Sequence, residues 1–92
     1  MQCEMLTLEY STQFKKDFKK IAKMPIADIV EVGNIISKLQ RGETLPAKNV
    51  DHPLTGNWLG FRDCHIKPDL VLIYRVANDS LQLVSFGVGS NC

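Results

Sequence analysis

The sequence predicts one α+β domain in which two helices pack on a mainly antiparallel, four-stranded sheet. Three observations support this fold class. The 92 residues suffice for one core and are too few for two. Two helical patterns follow each other in the first half of the chain. Three strand-like segments fill the second half, and the last two are close enough to form a hairpin. With one strand before the helices, the expected order is βααβββ.

The first strand and first helix follow from the spacing of apolar residues. Three apolar side chains alternate with polar ones, as in a strand with one buried face: Leu6, Leu8 and Tyr10. Ser11 and Thr12 then offer hydroxyl groups that can cap a helix. The apolar stripe of this helix has helical spacing: Phe14, Phe18 and Ile21. Pro25 is expected to end the helix, because proline lacks the N–H that the helix needs.

A second helix is predicted from about Ile26 to Arg41. Its apolar stripe again has helical spacing: Ile29, Val32, Ile36 and Leu39. Gly42 follows at the place where a glycine commonly stops a helix.

The second half of the sequence alternates between loops and strands. Residues 42–57 are polar and rich in turn-forming residues, which predicts a loop. Trp58–His65 is predicted as a strand. Leu70–Val76 is apolar at nearly every position, so it should be central and covered. Residues 77–80 form a turn, and Leu81–Phe86 returns as the hairpin partner.

Composition limits the possible classes of protein. Apolar residues make up 45% of the chain, but no run approaches the roughly 20 residues that span a bilayer. The first ten residues lack the basic start and apolar stretch of a secretory signal, so we expect a cytoplasmic protein without membrane contact. The three cysteines have no CxxC spacing, which argues against a disulfide framework or a zinc knuckle.

Positive charge is concentrated in the first helix. Residues 11–23 carry a local charge of +4, from one aspartate and five lysines: Lys15, Lys16, Lys19, Lys20 and Lys23. A local basic face attracts a polyanion even when the whole chain is nearly neutral. The first four lysines are therefore candidate RNA contacts, although a lysine-rich helix face is also common without a partner.

The densest chemistry lies between Asp51 and Asp69. This span holds both histidines, the single tryptophan, one arginine and three carboxylates. Histidine titrates near neutral pH, so two imidazoles beside a cation can supply acid, base and anion stabiliser. The alternative is that these groups cap turns and pair with each other. A metal site from His52, His65 and Asp69 is disfavoured, because no compact ligand motif is present.

Local sequence constrains how these groups are presented. Pro53 holds the backbone of His52 extended, and Asp69 follows Pro68 where it can orient a histidine ring. If the strand begins at Trp58, alternation places Arg62 on one face and His65 on the other. The two cannot act together unless a bulge or a strand end intervenes.

The string DHPLTGNWLGFRDCHIKPDLVLIY, from Asp51 to Tyr74, resembles the central motif of the YafQ-type toxins. These belong to the RelE superfamily of bacterial toxin–antitoxin systems. The resemblance implies a RelE-like fold and an endoribonuclease that cuts mRNA in the ribosomal decoding site. It also implies a cognate antitoxin as partner and neither a metal nor another cofactor.

The resemblance also suggests roles for individual residues. His52, His65 and Asp69 match the acid–base residues of the family, and Arg62 with Asp63 matches the basic–acidic pair beside them. Asp63 joins the catalytic candidates, while Arg62 or Lys67 is expected to steady the phosphate. Trp58 either stacks on an RNA base or anchors the loop.

The resemblance weakens near the C-terminus. Ser85 stands where the family typically has an arginine, and Gly89 stands at a histidine. Two hypotheses remain: an active mRNA endonuclease, or a weakened homologue that still binds its antitoxin and the ribosome. A topoisomerase poison, as in another branch of the superfamily, is disfavoured because it has no evident use for two histidines.

Overall fold

The structure, a computed structural model, describes residues 5–88, apart from the side chain of Val88. Five strands and two helices follow in this order: β1 Thr7–Tyr10, α1 Thr12–Ile21, α2 Ile26–Gln40, β2 His52–Pro53, β3 Arg62–Lys67, β4 Leu70–Ala77 and β5 Ser80–Val88. Two short 3-10 turns lie in the long loop: Ala47–Asn49 and Gly56–Trp58. No helix in the described part of the chain is long and apolar enough to cross a membrane.

The α+β class is confirmed, but the sheet differs from the prediction in detail. It has five strands in the order β1-β5-β4-β3-β2. β1 runs parallel to β5, and the other neighbours are antiparallel. The missed strand, β2, consists of His52 and Pro53 alone. Two residues are too few to show alternation, so this strand is defined by its pairing with β3.

The core lies between the helices and one face of the sheet. β4 occupies the middle of the sheet, as its apolar sequence predicted. The helical residues in the core are Phe14, Ile21, Val32, Ile35 and Leu39. Its sheet residues include Cys64, Leu72, Tyr74, Leu83 and Phe86. The predicted stripe of α2 missed Ile35, which is buried, whereas the neighbouring Ile36 is partly buried.

Two helix ends agree with the sequence signals, whereas α1 ends at Ile21, before Pro25, which instead directly precedes α2. Ser11 caps α1, since its Oγ accepts a hydrogen bond from the backbone N–H of Phe14 at 2.9 Å. The Ser11 hydroxyl also donates to the carbonyl of Val84 on β5, so the cap ties α1 to the sheet. Gly42 follows α2 with a φ of 75°, a left-handed conformation that glycine adopts without strain.

The predicted strand Trp58–His65 begins four residues later than expected. Trp58 closes a 3-10 turn, and Gly60 has a φ of 95°, which breaks extended backbone geometry. The alternation of faces predicted for Trp58 to Gly60 was therefore wrong, whereas Phe61 contacts Arg75 on the face predicted for it. From Arg62 onward, the alternation begins as predicted.

Two bulges decide which side chains face the helices. In β5, Leu83 pairs with Tyr74 but Ser85 pairs with Ile73, so Val84 is the extra residue. Without this bulge Ser85 would point at the helices, whereas it now lies on the opposite face. A second irregularity follows His65 in β3. We call the face away from the helices the outer face, which includes Asp63, His65, Ile73, Arg75, Gln82 and Ser85.

Candidate active site

The sheet register brings the two histidines to the outer face. His52 lies opposite Asp63, Asp63 opposite Ile73, and Ile73 opposite Ser85. Residues opposite each other on neighbouring strands share a face. His65 lies two residues beyond Asp63 on β3, which is about 7 Å along the strand. The structure thus groups three of the four catalytic residues predicted from the sequence.

A buried carboxylate stands against the ring of His52. The His52 Nδ1 atom lies 3.0 Å from Oδ1 of Asp63 and 2.9 Å from the carbonyl oxygen of Val50. The Asp63 side chain is 3% exposed and the His52 side chain 47% exposed. Nδ1 has one N–H to give, and its geometry suits the Val50 carbonyl. Asp63 Oδ1 is buried without a hydrogen-bond partner among the described residues.

This arrangement determines which ring nitrogen of His52 can react. Nδ1 is turned towards Val50 and Asp63, so Nε2 is the nitrogen that points away from the protein. A neutral ring that donates from Nδ1 has its lone pair on Nε2, ready to accept a proton. The Asp63 carboxylate then stabilises the positive charge that the ring acquires.

The 3-10 turn before β2 connects both histidines. The buried Asn49 donates from Nδ2 to the backbone carbonyl of His65 at 2.6 Å. The next residue, Val50, supplies the carbonyl that holds the His52 ring and has a left-handed φ of 46°. That conformation is unusual for a β-branched residue. Asn49 was not predicted from the sequence, because its partner is a backbone atom sixteen residues away.

Arg62 belongs to a different network on the helix side. Its Nε donates to Asp51 Oδ1 at 3.1 Å, and the Tyr74 hydroxyl donates to the same oxygen at 2.7 Å. Burial acts to lower the pKa of Arg62, but the contacts with Tyr74 and Asp51 outweigh it and raise the pKa. Burial, with the Asp51 carboxylate second, raises the pKa of Tyr74. The structure therefore separates Arg62 from the histidines.

Lys67 and the lysines of α1 also lie away from the outer face. The irregularity after His65 pairs Lys67 with Leu70 of the core face, and Lys67 Nζ reaches Asp28 of α2 at 3.0 Å. The pKa of Lys67 is raised, chiefly by this hydrogen bond. The four candidate lysines of α1 are exposed on the helical layer: Lys15, Lys16, Lys19 and Lys20.

Two further sequence candidates lie in turns. Asp69 is exposed in the turn between β3 and β4, near Lys67. Trp58 is 44% exposed, and its ring meets Phe61 edge-on at a centroid distance of 5.5 Å. Both of its predicted uses, base stacking and loop anchoring, are compatible with this position.

The structure also shows a cation on the outer face that the sequence analysis overlooked. The Arg75 guanidinium carbon lies 4.9 Å from the centroid of the Phe61 ring. Its Nε and Nη2 donate to Gln82 Oε1 at 2.9 and 2.6 Å. A usable signal was present in β4, where apolar Tyr74 and polar Arg75 must face opposite sides.

Neither Cys64 nor Ser85 adds a charge to the candidate site. Cys64 is fully buried in the core, and burial raises the pKa of its thiol to about 12, so it is not a nucleophile at neutral pH. Ser85 lies on the outer face without a charge, and Gly89 falls outside the described residues. Within residues 5–88, no group of three or more His, Cys, Asp or Glu side chains is arranged to hold a metal ion.

Comparison with known sequences identifies the family. The profile described as the bacterial toxin of type II toxin–antitoxin system, YafQ, matches residues 6–91. The mRNA interferase toxin YafQ of Escherichia coli K12 is 37% identical over 81 residues, which cover 87% of each chain.

Solved structures agree with this assignment. The crystal structure of YafQ from E. coli BL21(DE3) matches with a TM-score of 0.78 at 36% identity, covering 90% of this chain and 92% of that one. The YafQ chain of the E. coli DinJ-YafQ toxin–antitoxin complex matches with a TM-score of 0.72 at 31% identity, covering 91% and 92%. Sequence, fold and the grouped histidines lead to one conclusion: this chain belongs to the YafQ family of bacterial type II toxin–antitoxin toxins.

Proposed function

We propose that this chain is an endoribonuclease that inhibits translation by cutting mRNA on the ribosome. The observation that carries the proposal is the buried Asp63 carboxylate against His52, with His65 on the same face of the sheet. The E. coli relative that is named an mRNA interferase supports the same class of reaction.

The proposed reaction is an internal transfer of the RNA phosphate. One histidine removes the proton from a ribose 2′-hydroxyl, and the resulting oxygen attacks the adjacent phosphorus. The bond to the 5′-oxygen breaks, and a second acid returns a proton to that leaving oxygen. The products are a 2′,3′-cyclic phosphate and a 5′-hydroxyl end. His52 Nε2 and His65 are assigned to these proton transfers, without deciding which is the base.

The other predicted residues receive supporting roles in this proposal. Asp63 stabilises the protonated His52 ring, and Asp69 is assigned to orienting a catalytic histidine. Arg62 and Lys67 are already paired with Asp51 and Asp28, so we assign them to holding the loop and α2 against the sheet. The predicted contact of Arg62 with phosphate is tested with the Arg62→Gln variant.

The proposed partners are the ribosome with its mRNA and a cognate antitoxin. The site is proposed to be completed by the ribosome rather than to enclose free RNA. The relative solved in complex with DinJ supports an antitoxin partner. Action on translating ribosomes places the protein in the cytoplasm.

The first prediction concerns cleavage itself. Primer extension on a translated mRNA should show cuts within codons for the unsubstituted chain and none when translation is blocked. His65→Ala should lower cleavage by at least roughly 100-fold, since a general acid or base contributes about that much. Its melting temperature should stay within a few degrees. Retained cleavage by folded His65→Ala would remove the role assigned to His65.

A second candidate function is favoured by one observation. Ser85 places no charge on the outer face where the resemblance expects an arginine. Such a chain could bind its antitoxin and the ribosome without cutting efficiently. A Ser85→Arg, Gly89→His double variant separates the two candidates. If it cuts and the folded, ribosome-bound unsubstituted chain does not, the binding function is the correct one.

A further inference from the structure

The outer face carries an arginine that forms no ion pair with the residues that the structure describes. Arg41 pairs with Glu43, and Arg62 pairs with Asp51. Arg75 instead meets a neutral amide and an aromatic ring, and no carboxylate among residues 5–88 lies within ion-pair distance of it. Its hydrogen bonds use Nε and Nη2, so the Nη1 edge of the guanidinium has no described partner.

A chain of side chains holds Arg75 in one orientation. Glu9 of β1 accepts from Gln82 Nε2 at 3.0 Å, which fixes the Gln82 amide with its oxygen towards Arg75. The Phe61 ring covers one side of the guanidinium. Phe61 is itself fixed, because its N–H donates to the Trp58 carbonyl and its carbonyl accepts from Leu54. An arginine that is ordered before binding loses little entropy when it engages a ligand.

Arg75 lies close in the sheet to Asp63, the carboxylate that contacts His52. Asp63 lies opposite Ile73, and Arg75 is two residues further along β4 on the same face. Such diagonal neighbours are about 7–8 Å apart. Arg75 is thus a diagonal neighbour of Asp63, the carboxylate that contacts His52, whereas His65 lies on the other side of Asp63, opposite Val71. The half-exposed Trp58 ring lies next to Arg75's aromatic neighbour, because it contacts the Phe61 ring.

We propose that Arg75 binds a phosphate of single-stranded RNA on the outer face that also carries the two histidines, with Trp58 and Phe61 forming the aromatic border of that site. This inference rests on the proposed function and names the residue that holds the substrate's charge. A planar guanidinium suits the two oxygens of a phosphodiester, and aromatic rings accept bases without regard to sequence. The cation that Ser85 does not supply is thus provided from the neighbouring strand.

Binding is tested with an RNA that the protein cannot cut. The probe is a fluorescent, fully 2′-O-methylated hexanucleotide at low ionic strength, measured by polarisation. Arg75→Gln should weaken binding by about tenfold and lower the salt dependence, because one phosphate contact is lost. Arg75→Lys should lose less affinity than Arg75→Gln, since lysine keeps the positive charge but lacks the planar guanidinium. Arg41→Gln makes the same change away from the outer face and should bind as the unsubstituted chain does.

Cleavage of translated mRNA gives an independent measurement. Arg75→Gln should cut roughly 10- to 100-fold more slowly, as expected when one group that stabilises the phosphate is lost. Adding Ser85→Arg should recover most of this loss. Ser85 pairs with Ile73, so its Cα is about 8 Å from that of Arg75 and a new guanidinium reaches the same space. If Arg75 had only a structural role, an arginine introduced at Ser85 on β5 would not restore cleavage.

The outcomes distinguish this inference from the function on which it rests. If Arg75 governs RNA binding but no variant cuts, the site stands and the enzymatic proposal fails. If the unsubstituted chain cuts and Arg75→Gln cuts and binds equally well, the inference is overturned and the function stands. Failure of the unsubstituted chain to bind the hexanucleotide, or an equal effect of Arg41→Gln, also overturns it.

Discussion

Neighbouring residues on β3 have opposite chemistry because they face opposite sides of the sheet. Asp63 presents a buried carboxylate to His52 on the outer face. Cys64, the next residue, lies at 0% exposure in the core among apolar side chains. Burial stabilises the neutral thiol, which makes Cys64 a structural residue whose titration affects stability rather than catalysis.

Alkaline pH should destabilise the fold through Cys64. The folded pKa is about 12, against an ordinary value of 9.0, so the unfolded chain loses this proton first as pH rises. The free energy of unfolding is fully retained below pH 9 and should fall between pH 9 and 12. The limiting slope is about 1.4 kcal/mol per pH unit. The raised pKa of Tyr74 acts in the same direction above pH 10.

Urea denaturation measured at several pH values tests this expectation. Cys64→Ala removes the thiol and should flatten the decline, although a small cavity lowers stability at every pH. An unchanged slope in Cys64→Ala would show that other groups cause the alkaline loss.

Among the elements, the 3-10 turn Ala47–Asn49 is the one that aligns the candidate site. It sits between α2 and β2, and its last residue reaches across to β3. The turn thereby ties the backbone at His65 to the segment that carries His52. A short element with one tertiary hydrogen bond thus helps to fix the spacing of the two histidines, together with the pairing of β2 with β3.

Removing the Asn49 amide should therefore affect both stability and activity. Asn49→Ala leaves the His65 carbonyl without its donor and should cost about 1–3 kcal/mol of unfolding free energy. Cleavage should fall in folded protein as well, because His65 loses an anchor. Asn57→Ala is the matched control, since Asn57 is exposed in the second 3-10 turn. Comparable losses in both variants would contradict the special role of Asn49.

On the scale of the whole molecule, the sheet separates two sets of charges. The helix side holds ion pairs that connect elements, Arg62 with Asp51 and Lys67 with Asp28. The outer face holds the histidines, Asp63 and Arg75. We therefore expect that substituting a cation on the helix side lowers stability, whereas substituting Arg75 on the outer face weakens RNA binding.

Arg62→Gln should lower stability with little direct effect on RNA binding. Arg62 is partly exposed, so its pair with Asp51 is worth only about 1 kcal/mol. Tyr74→Phe removes a buried hydroxyl from the same carboxylate and should cost a comparable amount. Thermal melts and the hexanucleotide assay should be run on both variants. Weakened binding by a fully stable Arg62→Gln would support the phosphate contact predicted from the sequence.

Much of the architecture could be predicted from local sequence patterns. The helix cap at Ser11, the stop at Gly42 and the central position of β4 follow from residue type and spacing. The hairpin between β4 and β5 is equally local. The parallel pairing of β1 with β5 and the two-residue β2 were not accessible, because partners far apart in the chain define both.

The sequence by itself determined which chemical groups are available: two histidines, three carboxylates and two cations within one dense, recognisable span. The tertiary structure decided which of them meet. Bulges at Val84 and after His65 changed the faces of Ser85 and Lys67, and the pairing of β2 with β3 placed His52 against Asp63. Side-chain alternation has a period of two, so one extra residue reverses a face. Regular alternation, without a bulge, places Arg75 on the face of the histidines and Arg62 on the face of the helices.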